Sequence, residues 1–95
     1  MSAPVEIGET SVPRLPRHVK LRFDAARGAW VVLAPERVLV PDEIALEIVR
    51  RCDGVTTVGT IVDQLAAKYG AARDEVAHDV VEMLQDLADK GVIAA

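Results

Sequence analysis

Hydrophobic and polar residues alternate strictly over residues 18–24, and this alternation predicts a half-buried β-strand. The residues that would face the core are Val19, Leu21 and Phe23. Residues 30–33 are all apolar, as expected for a central strand covered on both faces, and residues 37–40 predict a third short strand. Because the connections between these strands are short, neighbouring strands pair antiparallel, and the pattern predicts a three-stranded meander.

The apolar residues that follow recur with a helical period and predict three α-helices. Pro41 suits the first position of helix one, where a backbone N–H is not needed. Thr56 or Thr57 can cap helix two, and Gly70 closes it. Helix three is predicted over residues 74–90. The predicted fold class is therefore α+β, with the order βββααα and a winged helix-turn-helix-like arrangement of the sheet and the helices.

The N-terminal residues show no periodic pattern, and three prolines interrupt them. We therefore expect residues 1–16 to form a flexible tail or linker and residues 17–95 to form one domain. No apolar run is long enough to span a membrane. The N-terminus lacks the basic start and apolar core of a signal peptide, so the predicted location is the cytoplasm.

The sequence contains none of the common catalytic or phosphate-binding motifs, which predicts a protein that is not an enzyme and needs no metal or cofactor. His78 has Asp74 and Glu82 four residues before and after it on one helical face. Such a set could ligate a metal, but metal sites usually draw ligands from several elements, and surface ion pairs are the simpler interpretation. Cys52 is interpreted as a small apolar residue that closes helix one.

The charge pattern argues against nucleic-acid binding, because the net charge is −4 and helix three would be the recognition helix. That helix carries six acidic residues, with Lys90 as its only Lys or Arg, and phosphates would repel it. A winged helix-turn-helix regulator that binds nucleic acid is nevertheless the alternative function. Its predicted wing would supply the basic residues Lys20, Arg22 and Arg27.

The third strand would lie at the edge of the meander. Edge strands are normally protected by charges, bulges or coverage, and Val38, Leu39 and Val40 provide no such charge. An exposed apolar edge can accept a peptide as an additional strand. Alternatively, a helix or the N-terminal tail covers this edge, and the pattern leaves both interpretations open.

Several stretches together resemble the PqqD family of pyrroloquinoline quinone biosynthesis. They are the Trp-containing strand with its Pro-Glu turn at residues 30–37, the Cys-Asp-Gly run at residues 52–54, and the aliphatic pattern ending in Lys-Gly-Val-Ile at residues 80–93. Their order and spacing carry the resemblance over residues 17–95. One departure is Pro41, which stands where the family often has a polar helix cap.

The resemblance implies a non-catalytic peptide chaperone, a recognition element for ribosomally made and modified peptides. It would bind the precursor peptide PqqA and present it to the radical SAM enzyme PqqE. Some family members are fused to another pathway enzyme, which would make the N-terminal segment a tether. A second surface would contact PqqE, and Trp30 with the first hairpin is the suggested place. The residues expected to bind the peptide are Arg37, Val38, Leu39, Val40, Val76, Val80, Met83, Leu84 and Leu87.

Overall fold

A computed structural model describes residues 5–95 and contains six regular elements in the predicted order. They are β1 (Lys20–Asp24), β2 (Ala29–Ala34), β3 (Arg37–Leu39), α1 (Glu43–Arg50), α2 (Val58–Tyr69) and α3 (Arg73–Asp89). The prediction of a three-stranded antiparallel sheet followed by three helices is confirmed.

The sheet has β2 at its centre and β3 at one edge. Leu21 and Leu39 both pair with Val32, so these three side chains lie on the same face of the sheet. This inner face packs against the helices, because Leu21 and Leu39 contact the core cluster that contains Val32 and Val49 of α1. The alternate residues of each strand therefore lie on the opposite, outer face.

The prediction that Phe23 faces the core is wrong, since its side chain is 54% exposed. Phe23 pairs with Trp30 across the hairpin, and the two rings pack edge to face at 5.7 Å. The guanidinium of Arg50 lies 4.8 Å from the Trp30 ring. Phe23 is thus on the inner face, but at the end of β1 it does not pack on the apolar side of a helix. Its neighbour there is the Trp30 ring, and the guanidinium of Arg50 lies over that ring.

The N-termini of α1 and α2 are capped by side chains that satisfy free backbone N–H groups, whereas Ala72 before α3 provides no such cap. The prediction that Pro41 is the first residue of helix one is wrong, because α1 begins at Glu43. Asp42 is its N-cap, and its carboxylate accepts a hydrogen bond of 2.8 Å from the Ala45 N–H. Thr57 caps α2, as one of the two predicted alternatives. Gly70 ends α2 with a φ of 60°, a left-handed conformation that glycine adopts without a steric penalty.

The core consists of two adjoining clusters of aliphatic residues. The first lies between the helices, and its buried members are Ile7, Ile48, Cys52, Val58, Ile61, Val62, Leu65, Val80, Leu84 and Ile93. The second lies under the sheet and contains Val19, Val32, Val49 and Val92. Leu87 of α3 packs against both clusters and so connects the sheet to the helices.

The N-terminal residues differ from the predicted tail. Residues 5–16, which we call the N-terminal strap, lie along α2 and α3, while residues 1–4 fall outside the described part of the chain. Ile7 is only 5% exposed within the first cluster, and its N–H donates a 2.9 Å hydrogen bond to Oε1 of Gln85 on α3. Packing therefore begins well before residue 17, because an aliphatic side chain buried at one position holds a segment that lacks any periodic pattern.

Backbone hydrogen bonds hold the rest of the strap against the start of α2. The Val58 N–H donates to the Ser11 carbonyl, and the Gly59 N–H donates to the Glu9 carbonyl, each at 2.9 Å. These donors belong to the first turn of α2, which has no internal acceptors for them. A Cβ on Gly59 would lie 3.3 Å from the Glu9 carbonyl oxygen, so glycine allows this close approach.

Candidate functional site

The outer edge of β3 is an open edge of the sheet. β3 pairs with β2 on one side, and the described residues place no strand on its other side. Val38 and Val40 are 53% and 55% exposed. The hydrogen bonds of the N-terminal strap run to the loop before α2, to α2 and α3, and to the C-terminal residues, and those found in residues 5–95 do not reach β3. The alternative in which the N-terminal segment covers this edge is therefore not the arrangement observed.

A cavity of about 210 Å³ lies between α1 and α3, with the C-terminal end of α2 beside it. We call it the helical groove. Its lining residues are Ile44, Ile48, Leu65, Tyr69, Ala71, Val76, Asp79, Val80 and Met83. Aliphatic carbon dominates this lining, and Asp79 is the only charged residue in it. A cavity of this composition suits an apolar side chain.

The structure separates the predicted α3 residues into two groups. Val76, Val80 and Met83 all line the helical groove. Leu84 is fully buried in the first core cluster, and Leu87 is half-buried between the two clusters, so neither lines the groove. Their packing is what holds α3 in place beside the sheet.

The side chains of the predicted β3 residues lie on two different faces of the sheet. Leu39 faces inward and packs against the second core cluster, whereas Val38 pairs with Leu33 on the outer face. Arg37 is exposed at the start of β3, and the ion pairs found among the described residues do not include it. Val40 follows the last strand residue and leads into α1. A peptide paired with β3 would therefore contact mainly the backbone of this strand, and the side chains of Arg37 and Val38 would lie beside it.

Six of the nine groove residues were not predicted as site residues from the sequence, and Ile44 and Tyr69 are the large exposed hydrophobic residues among them. Both are exposed, by 43% and 40%, although each falls on the apolar side of its helix. Helical periodicity assigns such residues to the core and cannot distinguish a core position from the wall of a groove. A usable signal was the position of Ile44 in the first turn after β3, where the helix has just begun to cover the sheet.

The two residues considered for chemistry have ordinary surroundings. The Cys52 thiol is buried and donates a 3.3 Å hydrogen bond to the Ile48 carbonyl. Burial, and to a smaller extent the charge of Asp53, raise the pKa of Cys52 to about 12, which keeps the thiol protonated and unreactive. The Nε2 atom of His78 lies 3.2 Å from a Glu82 carboxylate oxygen on the exposed face of α3. Within residues 5–95, no three metal-ligating side chains come together.

The exposed face of α3 is acidic. The exposed face of α3 carries the six carboxylates of Asp74, Glu75, Asp79, Glu82, Asp86 and Asp89. Its flanking cations are already paired, since Arg73 binds Glu9 and Asp63 and Lys90 binds Asp86.

None of the helices in the described part of the chain is long and apolar enough to cross a bilayer.

The open edge of β3 and the apolar groove between α1 and α3 belong to a small winged helix-turn-helix-like domain. A family model described as "Coenzyme PQQ synthesis protein D (PqqD)" matches residues 29–93, and the chain belongs to this family.

Related proteins extend this likeness over almost the whole chain. A "PqqA binding protein" of Rhodopseudomonas palustris (strain BisB5) is 61% identical over 89 residues, which cover 94% of this chain and 87% of that protein. The "PqqA binding protein" of Bradyrhizobium diazoefficiens is 56% identical over 89 residues, covering 94% of this chain and 86% of that protein.

Two solved structures share the fold at 39% sequence identity. The solution NMR structure of the PqqD truncation of Methylobacterium extorquens PqqCD aligns with a TM-score of 0.81, covering 97% of this chain and 98% of that one. It is described as a functional, stand-alone recognition element for ribosomally synthesized and post-translationally modified peptides. The crystal structure of PqqD from Xanthomonas campestris aligns with a TM-score of 0.60, covering 94% and 99% of the two chains.

Proposed function

We propose that this chain is a non-catalytic peptide chaperone that binds the ribosomally made PqqA precursor peptide and presents it to the radical SAM enzyme PqqE. The relatives named as PqqA binding proteins support the choice of peptide. The PqqCD protein of Methylobacterium extorquens supports a wider role in which such a domain is tethered to another pathway enzyme.

The observation that carries the proposal is the open edge of β3, together with a helical groove whose residue Ile44 lies in the first turn of α1, directly after β3. A peptide that adds to β3 as a fourth strand gains main-chain hydrogen bonds, which supply affinity with little dependence on sequence. The exposed Val38 then lies next to the added strand on the outer face.

Specificity for one peptide then comes from side-chain pockets. Successive side chains of an added strand alternate between the two faces of the sheet, so every second one is directed to the helices. On that side the helical groove offers Ile44, Tyr69 and Met83 as partly accessible apolar walls. A methionine in such a wall adapts its shape to different side chains.

The proposal assigns the chemistry to the enzyme and only binding to this chain. The protonated Cys52 thiol is too buried to act as a nucleophile, and the two neighbours of His78 on its helix are exposed carboxylates. The acidic face of α3 disfavours the alternative of a nucleic-acid-binding regulator, because the recognition helix would meet phosphates with carboxylates.

A titration of isotope-labelled protein with PqqA, followed by amide NMR, tests the binding site. We expect shift changes along residues 37–40 and along the groove side of α3. Changes confined to α2 and the first hairpin, with those two regions silent, would contradict the proposed groove.

A matched pair of substitutions sharpens this test. Met83→Asp places a charge in the wall of the helical groove and should weaken PqqA binding at least tenfold, or about 1.4 kcal/mol. Val81→Asp makes the same change at another half-buried position of α3 that does not line the groove, and should leave affinity within about twofold. Equal losses in both variants would point to a damaged helix instead of a lost pocket.

Presentation of the peptide needs a separate measurement, because binding and delivery can fail independently. Adding PqqE to the complex of this protein with PqqA should yield a ternary complex in analytical ultracentrifugation. Displacement of the peptide by the enzyme would contradict presentation while leaving peptide binding intact.

A further inference from the structure

The outer face of the sheet is the side away from both core clusters. The strand register places Arg22 beside Val31 and places Lys20, Leu33 and Val38 in one row across the three strands. None of these five residues belongs to either core cluster. We call this set the outer sheet face.

The outer sheet face combines an apolar centre with a basic side. Val31 is only 3% exposed although it lies outside both core clusters, and it lines a shallow depression together with Arg22, Asp24 and Leu33. Val38 is 53% exposed at the β3 side of the face. The arginine and lysine of β1 lie at the opposite side, where their aliphatic stems can cover apolar neighbours while their charges stay in water.

Asp24 is the acidic residue of β1 on this face, and it pairs with Arg27 instead of with Lys20 or Arg22. The ion pairs found within residues 5–95 do not include Lys20 or Arg22, unlike the cations at the ends of α3. Residues 14–23 contain four Lys or Arg and no Asp or Glu, although the chain as a whole is acidic. An apolar centre with unpaired charges at its border is typical of a protein–protein interface.

We infer that the outer sheet face is the docking surface for the enzyme that modifies the bound peptide, through a partner surface with an apolar centre and carboxylates at its border. This inference rests on the proposed function, since it assumes a peptide held on β3 and an enzyme that receives it. It differs from the expectation that placed the enzyme at Trp30, whose ring is on the inner face under Arg50.

The geometry explains how enzyme and peptide can bind together. A peptide strand on β3 occupies the edge of the sheet and leaves the outer face open. Every second side chain of that strand continues the row of Lys20, Leu33 and Val38, so the loaded sheet presents a face four strands wide. An enzyme docked on this face touches the domain and the peptide at once. It therefore binds the loaded domain more tightly than the empty one.

Charge reversal at Arg22 tests this assignment with the full chain. PqqE affinity would be measured by calorimetry for the protein preloaded with saturating PqqA, and PqqA affinity would be measured separately for each variant. We expect Arg22→Glu to weaken PqqE binding at least tenfold while PqqA affinity stays within twofold. Arg22→Lys keeps the charge and should retain PqqE affinity within threefold.

Lys90→Glu is the matched control, because it makes the same change of charge at the far end of α3. Lys90 forms only an exposed pair with Asp86, so its loss should leave PqqE affinity within twofold. Equal PqqE affinity for the wild type and Arg22→Glu would overturn the inference. So would equal losses in Arg22→Glu and Lys90→Glu, which would indicate a diffuse charge effect.

Other occupants of the face give distinct results. A wild-type dimer that Arg22→Glu converts to a monomer, or duplex DNA binding that Arg22→Glu abolishes, would assign the face to a second copy or to nucleic acid and overturn the inference. If the wild type fails to bind PqqA, the proposed function itself fails. Normal PqqA binding without any Arg22-dependent PqqE binding overturns only the docking surface.

Discussion

Replacing Ile7 by alanine would measure how much the N-terminal strap contributes to the stability of the domain. Ile7 is 5% exposed in the cluster formed by the helices, at a position where the sequence predicts a flexible tail. The substitution removes three carbon groups from the core. At about 0.8 kcal/mol for each buried group, their transfer alone costs roughly 2.4 kcal/mol.

Ile7→Ala also leaves a cavity, and such substitutions typically cost about 2–5 kcal/mol in total. We expect a loss near the lower end, about 2–3 kcal/mol, because Ile7 lies at the border of the cluster where neighbours can partly close the gap. For a domain of this size, each kcal/mol lowers the melting temperature by roughly 4–8 °C. The domain therefore stays folded at room temperature but melts markedly earlier.

Urea unfolding followed by circular dichroism gives this free energy directly, with unchanged steepness of the transition as evidence of a common unfolded state. Val5→Ala is the control, because Val5 is 38% exposed two residues earlier, and its loss should cost less than about 0.5 kcal/mol. A stability of Ile7→Ala within 0.5 kcal/mol of the wild type, about the size of a surface effect, would refute the packed strap.

Three further predictions concern single groups. The buried Cys52 thiol, with its pKa of about 12, should resist iodoacetamide at pH 8 in the native protein and react once unfolded, as read by mass spectrometry; rapid native labelling would contradict this. Asp42→Ala removes the cap hydrogen bond to Ala45 and should cost about 1 kcal/mol in urea unfolding, whereas Asp42→Asn should retain most of it. The hydrogen bond from Arg73 lowers the pKa of Glu9 below its ordinary 4.5, so the contribution of Glu9 is present above that pH and disappears as pH falls through the lowered value. Glu9→Gln should therefore be less stable than the wild type at neutral pH and converge with it in acid, and a constant difference would exclude this pair as the cause.

The regular elements were predictable because their periods are strong and their boundaries carry recognisable residues. The alternation before Asp24, the apolar run of β2 and the glycine after α2 all correspond to observed features. Phe23 was assigned to the wrong environment because alternation identifies a face of the sheet but not what covers it. At that point the Phe23 ring packs against the Trp30 ring, and Arg50 lies over Trp30.

The candidate site could be predicted for the edge of β3 and for Val76, Val80 and Met83 on α3, but not for the rest of the helical groove. The order of the strands places β3 at the edge, and the residue pattern shows that it is apolar. The helical groove depends on the angle and spacing of three helices, which no local pattern encodes. Ile44 and Tyr69 therefore looked like core residues, and the buried Leu84 looked as available as the accessible Met83.

The N-terminal strap also has a consequence for the order in which the chain folds. Its hydrogen bonds join residues that are far apart in sequence, with Ile7 and Gln85 separated by 78 positions and Val5 and Gln85 by 80. The strap is synthesised before α3, so it can form these hydrogen bonds only after the last helix has formed. Contacts of such long sequence separation carry a high cost of loop closure and form late. We therefore expect the strap to pack last, onto an otherwise folded domain. Its loss should accelerate unfolding far more than it slows folding.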